Sequence, residues 1–429
     1  MKNRVFDYII VGSGAGGGTL ARELTLRGKS VLIIDRGKAE PSIGTTLDSL
    51  RYYDVNKITQ MPFESKEGVM IWRAFMAGGS TGVSCANGVR ALERELYSLG
   101  IDLKNEFDEA EKDIGMPYGT EALLSQGSYA ILKACEELGL KMQLMPKFID
   151  PKACQRCGKC VLGCPYGAKW ASTSYLFEAY QQGAEQAYQT RVNEVIIENN
   201  TAKGVRGEDR NGKVEFHGRK VILAAGGLGS PVILQRSGFP EAGEGLFLDI
   251  FVNTYGVTEN INLMREPSMM MVDLEFHDQE GFLLSPFVTQ SKLGRLIELG
   301  PAGALLPADR LLGLMTKIID EPSGRVYPDG SVSKTVTPRD QQKLDQGSNL
   351  SKKILIKAGA DTEKLYVSRP QGAHPGGTAA IGKIVDHDLQ TKVKNLFVCD
   401  ASVLPFPPGL PPILTLVALA KHLAKKLDY

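Results

Sequence analysis

The chain has 429 residues, of which 43% are hydrophobic and 23% charged, and its formal net charge is +1. This composition is typical of a globular protein with a substantial core, and it disfavours a nucleic-acid-binding role, for which a basic surface is expected. A strand-like apolar run begins by Val5, and no run of 18 or more apolar residues follows. We therefore expect no signal peptide, no membrane-spanning helix and a cytoplasmic location.

The first predicted elements form a β-α-β unit. A buried strand is predicted over Val5 to Val11, a helix over Thr19 to Arg27, and a second strand that closes on Asp35. Three glycines in the first turn have the spacing G-x-G-x-x-G: Gly12, Gly14 and Gly17. Such glycines permit a tight turn, close approach of a pyrophosphate to the backbone, and close helix–strand packing. The helix N-terminus attracts phosphate and the acid can bind a ribose, so the unit predicts a dinucleotide site rather than an ordinary glycine-rich turn.

Four of the seven cysteines form a run with the spacing of a bacterial iron–sulfur ferredoxin: Cys154, Cys157, Cys160 and Cys164. Three interpretations are open, namely a [4Fe–4S] cluster, a zinc site and unligated structural cysteines. Clustering in a reducing compartment favours a metal over disulfides, and we predict a [4Fe–4S] cluster. In two-cluster ferredoxins the fourth cysteine serves the other cluster, so we favour Cys164 as fourth ligand over a remote cysteine. The remote candidates are Cys85, Cys135 and Cys399.

The rest of the chain supplies further predicted elements. Residues 219–238 read as a strand, a glycine turn and a helix, and the C-terminal strand Leu396 to Cys399 is followed by a helix from about Pro412. Proline is favourable in a first helical turn, where its missing N–H is not needed. Between these segments, residues 307–320 are predicted to form an amphipathic helix. The three methionines at 269–271 are interpreted either as an adaptable apolar pocket lining or, more simply, as buried strand residues.

Five segments, in order, resemble the glucose–methanol–choline (GMC) oxidoreductase family of flavoproteins: the turn at 12–18, then 77–90, 221–238, 372–382 and 399–420. The resemblance implies an α/β fold, with a Rossmann-like FAD-binding domain and a smaller α+β substrate domain on an antiparallel sheet. It places the FAD-binding domain at 1–245 and 366–429, with a cysteine-rich segment at 150–172, and the substrate domain at 246–365. A hairpin of the substrate sheet is expected at 324–336.

The resemblance also implies site residues. Those expected to hold FAD are Gly12, Gly14, Gly17, Asp35, Gly78, Gly79, Ser80, Asn87, Val192 and Asp400. His374, in a loop of glycines and a proline, is expected to be the acid/base that removes the alcohol proton, because a neutral imidazole suits that task. The alternative is a structural histidine whose hydrogen bonds are satisfied in the core. Family members usually carry a second His or Asn before the C-terminal helix, whereas this chain has Pro411 and Pro412, so the usual pair is missing.

The leading functional prediction is an FAD-dependent dehydrogenase that oxidises a CH–OH group of a small alcohol. Its electrons would leave through the [4Fe–4S] cluster to ferredoxin or a similar one-electron carrier, because a flavin accepts a hydride whereas a cluster carries one electron at a time. Two alternatives are a ferredoxin-driven reductase of a ketone or activated C=C bond, and a non-catalytic electron-transfer flavoprotein subunit.

Overall fold

The structure is a computed structural model that describes residues 4–54, 63–117 and 119–427. The strands of this described chain are β1 Val5–Val11, β2 Val31–Ile34, β3 Met70–Ile71, β4 Gln143–Leu144, β5 Glu185–Ala187, β6 Arg191–Glu198, β7 Thr201–Asp209, β8 Gly212–Leu223, β9 Glu244–Leu246, β10 Ile250–Val257, β11 Met271–Val272, β12 Phe282–Pro286, β13 Leu311–Ile318, β14 Gly324–Val326, β15 Val332–Ser333, β16 Leu365–Val367, β17 Gln371–Gly372 and β18 Leu396–Val398. The helices are α1 Ala15–Leu26, α2 Thr46–Ser49, α3 Glu93–Ser98, α4 Lys104–Ile114, α5 Gln126–Glu137, α6 Thr173–Gln181, α7 Ser230–Arg236, α8 Glu275–Glu280, α9 Lys292–Leu299, α10 Pro301–Leu305, α11 Pro338–Lys357 and α12 Ile413–Lys426.

The first sheet joins the two ends of the chain. Its strand order is β5-β2-β1-β8-β7-β6, and β18 pairs with β8. Strands β2, β1, β8 and β18 run parallel, with Ile10 beside both Ile33 and Ile222. These apolar strands are buried because α1 lies over the sheet and packs against α6 and α12, which is the usual environment of parallel strands. The predicted Rossmann-like α/β fold is confirmed.

Helix α1 begins four residues earlier than the sequence predicts, at Ala15 instead of Thr19. Its first turn contains glycines, which disfavour helices in isolation, but their lack of a side chain is needed here. A Cβ on Gly16 would collide with the carbonyl oxygen of Cys399, and a Cβ on Gly17 with that of Gly12. Tertiary packing therefore overrides the weak helix propensity, and the glycines bring α1 close to the strands.

The second sheet has the order β12-β13-β10-β17-β3, with β16 beside β10. Helix α11 packs on β10, β12 and β13. The predicted amphipathic helix at 307–320 is wrong, because this segment forms the strand Leu311–Ile318. All of that strand's residues are buried, since it lies between two neighbours and under α11. A strand covered on both faces loses the alternation that identifies strands in a sequence.

Two smaller sheets complete the described fold. The predicted hairpin at 324–336 is present as β14 paired with β15, but it joins β9 in a separate sheet and not the second sheet. The methionines at 269–271 are buried, and the third of them lies in β11. Within the described residues, no helix combines the length and the apolar character needed to cross a membrane.

Candidate active site

A cavity of about 700 Å³ is lined by residues of both large sheets. The predicted site residues that line it are Gly12, Gly14, Asp35, Gly79, Ser80, Asn87, Val192, Asp400 and His374. The other two predicted glycines lie just behind the wall. Gly17 packs against Gly12, and the backbone N–H of Gly78 donates to Ser13 Oγ at 3.1 Å.

One end of the cavity, which we call the glycine end (residues 12–16, 35, 79–80 and 225–229), is made largely of backbone. Gly12 has φ +104°, and a Cβ there would collide with the carbonyl oxygen of Ala224. Gly14 differs, because a Cβ on it would meet nothing within 4 Å. It is also the N-cap of α1, and no side chain caps the N–H groups of that helix's first turn. An uncapped helix start beside open space is the arrangement that binds a phosphate.

Two carboxylates hold the glycine end in shape. Asp35 accepts hydrogen bonds from Ser13, at 2.9 Å to the backbone nitrogen and 2.6 Å to the hydroxyl, and from the Gly37 nitrogen at 2.7 Å. Asp400 accepts from the Gly226 nitrogen at 2.9 Å and from Ser230 Oγ at 2.5 Å. Burial raises the pKa of both carboxyls. Asp35 thus fixes the turns that follow β1 and β2, and Asp400 fixes the turn that follows β8. The open helix start between them fits a dinucleotide such as FAD.

His374 faces the cavity in a fixed orientation. Its backbone N–H donates to the Leu248 carbonyl at 3.1 Å, and its Nδ1 lies 2.9 Å from Asp249 Oδ2. Asp249 is fully buried, and its other oxygen accepts from the Gly409 nitrogen at 2.9 Å. Because Asp249 occupies Nδ1, the tautomer with a free Nε2 lone pair is favoured.

The pKa values of this pair follow from burial. Burial lowers the pKa of His374 well below its ordinary value, and the Lys317 ammonium lowers it further. Burial raises the pKa of Asp249 to about 7, opposed by the same ammonium. Because the imidazole of His374 is neutral at neutral pH, its Nε2 lone pair is available to accept a proton. Sequence reasoning missed Asp249, although an acid directly before a strand that begins with three apolar residues is the available signal.

A buried ion pair supports the position of Asp249. Asp320 and Lys334 are 2.6 Å apart, and both side chains are fully buried. The Asp320 carboxylate also accepts from the backbone nitrogens of Leu248, at 3.1 Å, and Ile250, at 3.3 Å. Asp320 therefore fixes the backbone on both sides of Asp249.

The other end of the cavity, which we call the apolar end, is lined by Phe251, Met264, Met269, Phe287, Leu293, Ile297 and Met315. Only Met269 of the three consecutive methionines lines the cavity. Pro411 and Pro412 also lie in its wall, directly before the uncapped start of α12 at Ile413. These prolines place no polar side chain beside His374. Two charged side chains line this region, Lys317 of β13 and Glu298 of α9. Sequence reasoning misses Lys317 because it predicts a helix for that segment.

The four clustered cysteines border one small cavity next to Lys169: Cys154, Cys157, Cys160 and Cys164. Lys169 Nζ donates to the carbonyl oxygens of Ser84, at 2.6 Å, and Cys160, at 2.9 Å. The predicted metal site is not supported, because among the described residues no three His, Cys, Asp or Glu side chains stand close enough together to hold a metal ion. Of the remote candidates, Cys85 lines the larger cavity, whereas Cys135 and Cys399 are buried elsewhere.

Comparisons with known proteins agree with this geometry. Two family models described as GMC oxidoreductase match residues 6–263 and 314–420. An uncharacterized protein of Methanocaldococcus jannaschii is 30% identical over 99% of this chain and 100% of its own length. A long-chain-alcohol oxidase of Arabidopsis thaliana is 24% identical over 98% of this chain and 67% of its own. Among solved structures, pyridoxine 4-oxidase from Mesorbium loti has a TM-score of 0.76 at 17% identity, covering 98% of this chain and 99% of its own. A variant of Aspergillus oryzae formate oxidase, studied for modification of its FAD, has a TM-score of 0.75 at 16% identity, covering 100% and 99%.

Proposed function

Since the chain belongs to the GMC oxidoreductase family, and is therefore an oxidoreductase of that type, we propose that it oxidises the CH–OH group of an apolar alcohol with FAD as the hydride acceptor. The observation that carries the proposal is the meeting of two features in one cavity. The glycine end offers an uncapped helix start and an open Gly14 to a dinucleotide phosphate, and His374 with Asp249 lies at the same cavity.

In this proposal the backbone of the glycine end binds the cofactor. The first-turn N–H groups of α1 would donate to the phosphates, and Gly79, Ser80 and Asn87 would bind the rest of the FAD. Asp35 and Asp400 hold the turns through their backbone hydrogen bonds. When bound, FAD supplies a two-electron acceptor for hydride.

His374 prepares the substrate for hydride loss. An alcohol donates hydride poorly until its O–H proton is being removed, and the Nε2 of His374 is the group that takes this proton. Asp249 holds the ring through Nδ1 at 2.9 Å and offsets the positive charge that the ring gains. The proton therefore leaves toward a base whose orientation is fixed before substrate binds.

The lining of the apolar end supports an apolar alcohol as substrate. Two phenylalanines, three methionines, a leucine and an isoleucine line it, and methionine adapts to ligands of irregular shape. Burying a CH₂ group on such surface is worth about 0.8 kcal/mol. A longer alkyl alcohol is therefore expected to bind more tightly than a shorter one.

The test of the proposed function has two steps. Cofactor released by heat from the purified protein is identified by chromatography, and FAD is the expected result. The protein is then mixed without oxygen with 1-butanol, 1-octanol, benzyl alcohol or pyridoxine, and flavin absorbance is followed. Bleaching of the flavin by at least one alcohol supports oxidation. We expect the alcohol concentration that gives half-maximal bleaching to be lower for 1-octanol than for 1-butanol. Release of only NAD(P) would reject the cofactor. Bleaching by none, together with reoxidation of chemically reduced flavin by a ketone or an activated C=C compound, would favour the reductase alternative.

We also propose a route for the electrons, through a [4Fe–4S] cluster on the cysteine loop to ferredoxin or a similar carrier. The observation that favours it is that all four clustered cysteines border one cavity, and that Lys169 ties their loop to Ser84 beside the flavin-binding segment. Cluster assembly requires the thiols to close in around the iron. Anaerobically prepared protein is expected to hold about four iron atoms per chain, and Cys157→Ser to lose iron and ferredoxin-linked turnover while flavin reduction by alcohol continues. If the protein holds no iron after anaerobic reconstitution, the cluster is rejected and the cysteines have a structural role.

A further inference from the structure

One lysine in the cavity wall has no hydrogen-bond or ion-pair partner among the residues that the structure describes. Lys317 is only 3% exposed and lines the cavity. Within the described residues, no group accepts a hydrogen bond from its ammonium and no carboxylate lies within ion-pair distance of it. The titratable groups that face it are Asp249, Cys85 and His374.

The other buried lysines form hydrogen bonds or ion pairs within the protein. Lys147 donates to four oxygens, those of Cys85, Asn87, Ser268 and Met269, at 2.6 to 3.2 Å. Lys334 pairs with Asp320 at 2.6 Å. The absence of a direct partner therefore distinguishes Lys317 from these buried lysines.

Strand register brings Lys317 to the wall that carries His374. On β13 it lies opposite Phe251 of β10, which in turn lies opposite Gln371 of β17. Residues directly opposite one another project to the same face, and neighbouring strands are about 4.8 Å apart. His374 follows Gln371 by three residues, and all four residues line the cavity.

An unpaired buried cation is not placed there for stability. Taking an ammonium out of water costs several kcal/mol unless an opposite charge or acceptor compensates it, and a hydrocarbon side chain at this position would avoid that cost. Asp249 attracts the ammonium only through space, without a hydrogen bond to it, and phenylalanine and methionine side chains make up much of the neighbouring wall. The missing hydrogen-bond acceptor is then expected to come from what binds in the cavity, as an oxygen with negative or developing negative charge.

We propose that Lys317 donates a hydrogen bond to the oxygen of the substrate alcohol, and so takes the place that Pro411 leaves without a polar side chain. This inference rests on the proposed function. As the O–H bond breaks, its proton passes to His374 Nε2 and negative charge develops on the oxygen, where the Lys317 ammonium stabilises it. With FAD bound, the C–H bond would break with its electron pair leaving as hydride to the flavin, and the C=O bond would form. His374 receives the proton and Lys317 holds the oxygen.

The kinetic arm of the test uses Lys317→Met, which keeps the length of the side chain without its charge. Loss of one donor to a developing oxyanion typically slows the step by about 10²- to 10³-fold, and flavin reduction by 1-octanol is expected to slow by that factor with FAD content unchanged. The matched control is Lys353→Met on the exposed face of α11, which should reduce at the wild-type rate. If Lys317→Met fails to retain FAD, Lys317→Gln carries the same comparison.

A binding arm, which needs no turnover, separates this inference from the proposed function. Octanoate presents a charged oxygen, and octanamide presents a neutral one on the same alkyl chain. Binding of each to the oxidised protein is measured by the change in flavin absorption. The wild type should bind octanoate at least tenfold more tightly than Lys317→Met does, while octanamide affinity stays the same. Equal octanoate affinity, or wild-type flavin reduction in Lys317→Met, would overturn the inference. If no alcohol reduces the wild type, the proposed function fails and the octanoate comparison alone decides the role of Lys317.

Discussion

At the glycine end of the cavity the backbone forms the binding surface, whereas beside His374 side chains from separate strands form it. Gly12, Gly14 and the start of α1 are neighbours in the chain. By contrast, His374, Asp249 and Lys317 come from three segments that meet only through the register of the second sheet. A site made by backbone shape can be read from a short motif, and a site made by strand register cannot. The two ends should therefore fail in different ways when altered.

The largest effect is expected from a pair of glycine substitutions that separates cofactor binding from folding. Gly14→Val should fold normally yet carry no FAD, since its side chain would meet only open space in the protein and so occupy the volume of a phosphate. Gly12→Val should misfold, because of its positive φ and the collision with Ala224. Flavin absorbance and circular dichroism distinguish the two results. Stoichiometric FAD in Gly14→Val would contradict the assignment of the glycine end.

A smaller but still large effect is expected at the other end of the cavity. His374→Asn should keep FAD and fold, because the cofactor is bound by backbone elsewhere, but it should lose flavin reduction by roughly 10²- to 10⁴-fold, as removal of a general base does. Rapid mixing with alcohol in the absence of oxygen measures this rate. The matched control is His217→Asn, which changes an exposed histidine of β8 and should leave the rate unchanged. A near-normal rate in His374→Asn would remove this histidine from the mechanism.

The buried ion pair of Asp320 and Lys334, which supports Asp249, is tested through the free energy of unfolding. Lys334→Met should lower the free energy of unfolding by about 3–5 kcal/mol, because it strands a buried carboxylate. Arg339→Met is the matched control, since its ion pair with Glu321 is solvent-exposed, and surface pairs contribute about 0–1 kcal/mol. Both variants are unfolded with denaturant at saturating FAD. Similar losses in the two variants would show that Asp320 does not depend on Lys334.

The smallest expected effect is a shift of the pH profile of flavin reduction. As pH falls through about 7, protonation of Asp249 removes the acceptor that fixes the His374 tautomer, so the rate should fall on the acid side. As pH rises, the rate should fall again when Lys317 loses its proton, at a pH below the ordinary lysine value because burial lowers its pKa. Asp249→Asn should remove the acid limb near 7 and keep the alkaline one. An acid limb that is unchanged in Asp249→Asn would assign it to another group.

The contrast between the two ends also explains what the sequence could predict. The strand Val5–Val11 and the glycine turn are predictable because their pattern, an apolar run followed by closely spaced glycines, lies within one short segment. In that unit the prediction misplaces the start of α1, since its glycines form part of the helix. The sequence predicts a helix for the segment with Lys317, because a strand buried on both faces shows no alternation of apolar and polar residues. Its identity depends on β10 and β12, which are distant in the chain. Cysteine spacing in turn predicts a metal site only if the loop folds the thiols inward, and here Lys169 and backbone turns shape that loop.

Transfer of hydride from the carbinol carbon is the central claim, and it is tested most directly by isotope substitution at that carbon. The FAD-loaded protein is mixed without oxygen with 1-octanol or with 1-octanol that carries deuterium at carbon 1, and flavin bleaching is timed. We expect bleaching by both alcohols and a slower rate with the deuterated one, because the C–H bond breaks in the step that reduces the flavin. Equal rates at saturating alcohol, or no bleaching by either, would contradict hydride transfer from a CH–OH group in this cavity.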